Sequence, residues 1–247
     1  MVAERQPAVE REPRAIFELG GLLGDPVFYG LGVPRGDGRL VVVLPGMFAN
    51  DFYLQPLRDW LSRIGYRAVR SNIAMNAGCP ERRRLEAEAE LRRRMQRRPG
   101  AVALIGHSAG GVIARALAGA MQDEVSHLIL LGSPAGSLGR RSGGIRRSRQ
   151  ISNAARMVAS AGERARRFID PDCEIPQCGC PFVQDVSSPL SPGTRVTSIY
   201  SREDPIVPIW ASRDPTADNI ETTGTHSGLA FNGAVYRAIA KALSVRD

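Results

Sequence analysis

Short runs of aliphatic residues recur along the chain, and longer segments of mixed polarity separate them. The runs LVVVL at 40–44, AVALI at 101–105 and VSHLILL at 125–131 are almost entirely apolar. Such runs indicate strands that are covered on both faces. Weaker strand patterns are found at 67–71, 195–200 and 220–223.

The intervals between these runs carry helical periodicity. The segment 51–65 places four aliphatic residues at helical spacing, and the segment 81–98 has one apolar stripe beside Glu–Arg pairs at i,i+4. Further helices are predicted over 15–23, 112–121, 151–168 and 230–243. Strands that alternate with helices predict an α/β fold with a mostly parallel sheet and helices on both faces. In such sheets the chemistry lies at the carboxyl ends of the strands.

Length and composition favour one domain with one core, since the chain has 247 residues of which 43% are apolar. We expect a disordered leader over 1–14 and a single domain over 15–247. The segment 133–193 is too long for a simple connection and is expected to form a lid-like insertion. No apolar run of eighteen residues and no signal-peptide pattern is present, so we expect a cytoplasmic protein; a mature exported form fits equally.

The formal charge of +8 is carried by arginine, since Lys241 is the single lysine. The arginines are spread along the chain, often beside glutamate, which is typical of a solvated surface, so no nucleic-acid partner is expected. The basic stretch at 139–150 is a candidate for surface association with anionic lipid or for contact with an anionic substrate. The expected substrate is a small-molecule or lipid ester.

The strongest chemical signal follows the AVALI strand directly. Gly106-His107-Ser108-Ala109-Gly110 has the pattern G-x-S-x-G between a buried strand and a helix, which is the context of a nucleophile elbow. Side chains at the two glycines would collide with the neighbouring strand or helix. Ser108 is therefore the predicted nucleophile, and the N–H of Ala109 is a predicted oxyanion donor.

A nucleophilic serine requires a base and an orienting acid. Of the three histidines, His107 adjoins Ser108 and His127 lies within a strand, which leaves His226, after the last strand, as the base. Asp204 follows the strand at 195–200 and is the predicted acid. Glu203 is its competitor, with Asp185 and Asp214 next in order.

The loop after the first strand, LPGMF, is expected to supply the second oxyanion donor. The backbone N–H of Met47 is the first candidate, and that of Phe48 is the second. Candidate pocket residues are Phe48, His107, Phe168 and Phe182. No metal or organic cofactor is expected, because acyl transfer by a serine triad needs none. Three of the four cysteines are close in sequence but lack a fourth zinc ligand. These cysteines either form a local disulfide or are free thiols.

Four motifs together resemble the α/β-hydrolase superfamily, close to its bacterial lipase and esterase branch: IGHSAGG, LPGMF, YSREDPIVP and GTHSGLAFN. The resemblance covers about residues 39–243. It implies a serine esterase or lipase in which Ser108, Asp204 and His226 form the triad and Met47 and Ala109 form the oxyanion hole.

Two residues depart from the family pattern. Pro45 stands where many members carry histidine, and Pro205 stands where glycine is common. Neither departure removes a catalytic group, but both leave the substrate open. The alternatives are the same triad acting as a thioesterase, lactonase, amidase or acyltransferase, and a non-catalytic binding module that keeps the fold.

Overall fold

The computed structural model describes residues 14–134, 153–174 and 179–245, with side chains from residue 160 onward in the second range. The predicted leader up to residue 13 and the basic stretch at 139–150 lie outside the described residues. Within the described residues, no helix is long and apolar enough to cross a membrane.

The described residues form one six-stranded sheet in which every neighbouring pair of strands is parallel. The spatial order is β2-β1-β3-β4-β5-β6. This arrangement confirms the predicted α/β class. The strands are β1 (Leu40–Leu44), β2 (Arg67–Arg70), β3 (Val102–His107), β4 (Val125–Leu131), β5 (Arg195–Ser201) and β6 (Asp218–Thr222).

Eight α-helices are described in the same ranges: α1 (Ala15–Gly24), α2 (Gln55–Arg63), α3 (Pro80–Arg97), α4 (Ala109–Met121), α5 (Asn153–Ile169), α6 (Pro181–Ser187), α7 (Ile209–Ser212) and α8 (Gly233–Ser244). The short helices α6 and α7 were not predicted from the sequence. The last helix begins at Gly233 and not at 230, because the Asn232 side chain caps it by accepting the Ala234 N–H at 2.8 Å.

Both faces of the sheet are covered. Val41 and Val43 of β1 face one apolar cluster, which includes residues of α2 and α8 such as Trp60 and Tyr236. Val42, between them, faces the second cluster, which contains residues of α3, α4 and α6. The continuous apolar run of β1 therefore follows from burial on both faces.

The described cysteines differ in oxidation state. Cys180 is disulfide-bonded, whereas Cys79 and Cys173 are free thiols. His127 is buried in β4, as expected, with its Nδ1 atom close to the guanidinium of Arg39.

Candidate active site

Ser108 occupies the sharp turn between β3 and α4. Its backbone has φ 53° and ψ −125°, a positive-φ conformation that a non-glycine residue adopts at a cost. A Cβ atom at Gly110 would overlap the carbonyl oxygens of Leu44 and Pro45, and one at Gly106 would overlap Gly111. The two glycines thus allow the close approach that the elbow needs.

His226 and Asp204 are in direct contact. Nδ1 of His226 and Oδ2 of Asp204 are 2.7 Å apart, and Asp204 is 2% exposed. The other carboxylate oxygen of Asp204 accepts the N–H groups of Ile206 and Val207, each at 2.8 Å. Glu203 instead accepts the N–H of Gly224 at 3.2 Å. The structure thus places Asp204, and not Glu203, against the imidazole.

Ser108 lies at the same edge of the sheet as this pair. Its N–H donates to the carbonyl of Leu131 at 2.9 Å. A Cβ atom at the next residue, Gly132, would lie 3.0 Å from Oδ2 of Asp204 and 3.4 Å from Nδ1 of His226. Ser108 after β3, Asp204 after β5 and His226 after β6 therefore all lie around the end of β4.

His107 supports the loop that carries His226. It is buried, and its Nε2–H donates to the His226 carbonyl at 2.9 Å; the two ring centroids are 4.9 Å apart. Burial, and then the nearby His226, lower the pKa of His107 to about 3, so its ring is neutral at neutral pH. The predicted pocket residue His107 is thus a buried residue behind the site.

The loop after β1 is fixed by Asn76. The Asn76 side chain donates to the Pro45 carbonyl at 2.7 Å, and its backbone oxygen accepts the Phe48 N–H at 2.9 Å. The Phe48 N–H is therefore already engaged. Within the described part of the chain, no hydrogen bond joins the Met47 N–H to another group. A Cβ atom at Gly46 would lie 3.2 Å from Cβ of Ser108, so this loop lies against the elbow.

The remaining pocket candidates occupy three different environments. Phe48 is half-exposed on the loop beside Ser108. Phe168, near the end of α5, is 89% exposed. Phe182 is 6% exposed and packs in the second apolar cluster, where α6 meets α4. Phe182 is thus a core residue, because α6, which the sequence did not reveal, turns it toward the sheet.

Three residues that bear on this site were not identified from the sequence. Tyr53 donates its hydroxyl proton to the Ser227 carbonyl at 2.6 Å, and Glu18 accepts hydrogen bonds from Thr225. The third is Asn76. No local motif marks them, because each acts on the backbone of a loop that is distant in sequence. Among the described residues, no group of three His, Cys, Asp or Glu side chains is placed to hold a metal ion.

Comparison with known proteins points to one fold. The family model "PGAP1-like alpha/beta domain" matches residues 85–140, and no protein of curated function matches the sequence. The mature lipase BlEst2 of Bacillus licheniformis superposes with a TM-score of 0.54 at 15% identity, covering 90% of this chain and 97% of that chain.

The monoacylglycerol lipase of Paleococcus ferrophilus superposes with a TM-score of 0.51 at 15% identity, covering 85% of this chain and 96% of that chain. At these identities the similarity defines the fold. Together with the parallel sheet and the elbow between β3 and α4, it shows that the chain has the fold of the α/β-hydrolase superfamily.

Proposed function

We propose that the chain is a serine hydrolase that cleaves carboxylic esters through an acyl-enzyme. Ser108 is the nucleophile, His226 the general base and Asp204 the orienting acid. The observation that carries the proposal is the 2.7 Å contact between His226 and Asp204, at the sheet edge where Ser108 occupies its positive-φ turn. The same chemistry is consistent with the lipases that share the fold.

The chemistry follows from the hydrogen bonds of His226. An ionised carboxylate only accepts, so Nδ1 of His226 carries the proton that is shared with Asp204, and Nε2 is left as the base. In the proposed cycle His226 removes the Ser108 proton while Oγ attacks the ester carbonyl. The imidazolium then protonates the leaving alkoxide, and water hydrolyses the acyl-enzyme by the same route.

Two backbone N–H groups are proposed to stabilise the oxyanion. Ala109 heads α4, where the first N–H groups of a helix have no partner within the helix and the helix dipole favours negative charge. Met47 supplies the second group from the loop that Asn76 fixes. A preorganised pair of donors is worth several kcal/mol in acyl transfer, roughly 3–4 for each donor.

The segment after β4 is proposed to act as a lid that selects the acyl group. A Cβ atom at Gly162 of α5 would overlap the Met47 side chain, so α5 lies over the loop that carries the proposed oxyanion donor.

The loops beside the proposed lid expose apolar side chains. Phe48, Phe52 and Met75 are exposed on the loops that follow β1 and β2. Arg70 lies over the Phe52 ring at 5.1 Å, which places a cation among these apolar groups. We propose a small-molecule or lipid ester as substrate, with association at anionic lipid surfaces.

The test combines a covalent probe with a substrate series. A fluorophosphonate should label Ser108, as identified by peptide mass spectrometry, and Ser108→Ala should lose both labelling and hydrolysis of p-nitrophenyl esters. Esters of graded chain length, thioesters and amides, assayed side by side, define the bond that is cleaved. Labelling with turnover of thioesters or amides alone would replace the ester assignment. Absence of labelling and turnover would indicate a binding module.

A further inference from the structure

The loop that carries His226 is attached to the N-terminal helix. The Glu18 carboxylate of α1 accepts the Thr225 N–H at 2.8 Å with Oε1 and the Thr225 hydroxyl at 2.7 Å with Oε2. Thr225 directly precedes His226. One carboxylate thus fixes both the backbone and the side chain of the residue before the proposed base.

The loop is shaped to receive this carboxylate. A Cβ atom at Gly228 would overlap Oε2 of Glu18, and one at Gly224 would lie 2.7 Å from Oε1. Gly224 also has φ 117°, a conformation that favours glycine. The Thr225 hydroxyl oxygen in turn accepts the Gly228 N–H at 3.0 Å, which sets the turn that follows His226.

Hydrophobic packing alone does not account for the placement of Glu18. Ile16 and Phe17 of α1 are 75% and 79% exposed, and Leu22 is the residue of α1 that is buried in the core. The polar contact with Thr225 is therefore a main attachment of the first turns of α1.

We infer that Glu18 is a positioning residue that sets the orientation of the His226 imidazole. Thr225 is held by Glu18, the His226 carbonyl by His107 and the Ser227 carbonyl by Tyr53. With three successive residues held, the ring presents Nδ1 to Asp204, which leaves Nε2 for the proposed nucleophile. The catalytic part of this inference rests on the proposed function.

The test uses three variants and a matched control on the full chain. Glu18→Ala removes both bonds, whereas the amide of Glu18→Gln can accept the Thr225 N–H and donate to its hydroxyl oxygen. Thr225→Val removes both contacts of the hydroxyl, with Glu18 and with the Gly228 N–H, but keeps the backbone bond from Thr225 to Glu18. The control is Arg237→Gln, which breaks the ion pair between Arg237 and Asp25. This ion pair also attaches the N-terminal region to the body of the protein, but it does not involve the His226 loop.

We expect kcat of Glu18→Ala to fall about 100-fold with KM within about twofold, because a small misplacement of a base lowers turnover and not binding. Glu18→Gln should recover most of this loss, and the rate of fluorophosphonate labelling should follow kcat. The effect of Glu18→Ala should be smaller in the Thr225→Val background. Arg237→Gln should keep the wild-type kcat. Unchanged kcat in Glu18→Ala, or an equal loss in Arg237→Gln, would overturn the inference.

A second measurement separates this inference from the proposed function. The His226 Nδ1 proton, bonded to Asp204, should give a far-downfield proton NMR resonance in the wild type and in Arg237→Gln. Displacement or broadening of that resonance in Glu18→Ala supports positioning, even if the wild type neither hydrolyses esters nor is labelled. An identical resonance in Glu18→Ala would overturn positioning whatever the activity.

Discussion

The Asp204 carboxylate receives hydrogen bonds on both of its oxygens, and one of these bonds comes from Nδ1 of His226 at 2.7 Å. Oδ1 accepts two backbone N–H groups, at Ile206 and Val207, and the side chain is almost fully buried. The backbone bonds orient the carboxylate so that Oδ2 points to the imidazole. The loop of Asp204 therefore fixes the orientation of the carboxylate, and the carboxylate in turn orients the His226 imidazole.

Asp204→Asn should lose about 10⁴-fold in kcat at neutral pH. The amide oxygen will take the position that accepts the two backbone N–H groups, which turns the NH₂ group toward His226. Nδ1 must then accept, and the proton moves to Nε2, where the base is needed. Steady-state kinetics on a short ester, with circular dichroism to verify folding, measures the loss.

Glu203→Gln is the matched control, because its amide oxygen can still accept the Gly224 N–H. Its kcat should stay within a few-fold of the wild type. The reverse result, an inactive Glu203→Gln beside an active Asp204→Asn, would move the acid by one residue. The other acids considered from the sequence lie elsewhere: Asp185 faces Arg84 at 3.7 Å, and Asp214 accepts the Thr216 N–H at 2.9 Å.

The features that the sequence predicted are those with a local pattern. The bounds of β1 could be predicted because all five of its residues are buried and therefore form one continuous apolar run. The elbow could be predicted because its glycines are required at fixed spacing. The order serine, acid, histidine placed Asp204 and His226 at successive strand ends, and the parallel topology brings them together.

The features that were not predicted depend on long-range contacts. Glu18 and Thr225 are 207 residues apart, and nothing in the helix AIFELGGLLG indicates which loop its carboxylate meets. The burial of Phe182 could not be predicted for the same reason. From the sequence, an apolar residue in this insertion fits a substrate pocket and a packed helix equally well. Only the position of α6 against α4 decides between them.

Asn76→Asp should lower kcat about 100-fold through the oxyanion hole. A carboxylate at this position would face the Pro45 carbonyl, to which the amide now donates at 2.7 Å, and two acceptors repel. The loop that carries Met47 would then lose its side-chain anchor at Pro45, while the backbone bond between Phe48 and residue 76 remains. Kinetics on a short ester measures the change.

Asn50→Asp, on the loop after β1 that carries Met47, is the matched control. Oδ1 of Asn50 accepts the Phe52 N–H, and a carboxylate can do so as well. Its kcat should be close to that of the wild type. Similar losses in both variants would mean that added negative charge, and not the anchor at Pro45, is responsible.

Phe182→Ala and Phe168→Ala should differ in stability. Removing the buried Phe182 ring leaves a cavity in the second cluster and should cost about 3–5 kcal/mol in the free energy of unfolding. Phe168 is largely exposed, so its removal should change that free energy by less than about 0.5 kcal/mol. Urea denaturation measures both. Equal stability of the two variants would contradict the core assignment of Phe182.

If Phe168 contributes to acyl selection, its replacement should change chain-length preference while the protein keeps its stability. Hydrolysis of p-nitrophenyl esters of graded length by Phe168→Ala tests this. An unchanged chain-length profile would remove Phe168 from the candidate pocket.

His107 should make the fold sensitive to acid. Burial lowers its pKa from 6.5 to about 3, so between these values the unfolded chain binds a proton that the folded chain does not. The contribution of His107 to stability is thus complete above pH 6.5 and is lost as the pH falls toward 3. The expected slope is roughly 1 kcal/mol in the free energy of unfolding for each pH unit between these two values.

His107→Gln isolates this effect, because the glutamine amide can donate to the His226 carbonyl in place of Nε2–H but does not titrate. Carboxylates contribute their own pH dependence in both proteins, so the difference between the two unfolding curves reports His107 alone. In urea titrations at pH 4, 5 and 6, the free energy of unfolding should fall more steeply with decreasing pH for the wild type than for His107→Gln, since only the wild type takes up the additional proton on unfolding. If the two proteins instead showed the same pH dependence over this range, His107 would be protonated in the folded state. That result would contradict the lowered pKa of the buried ring.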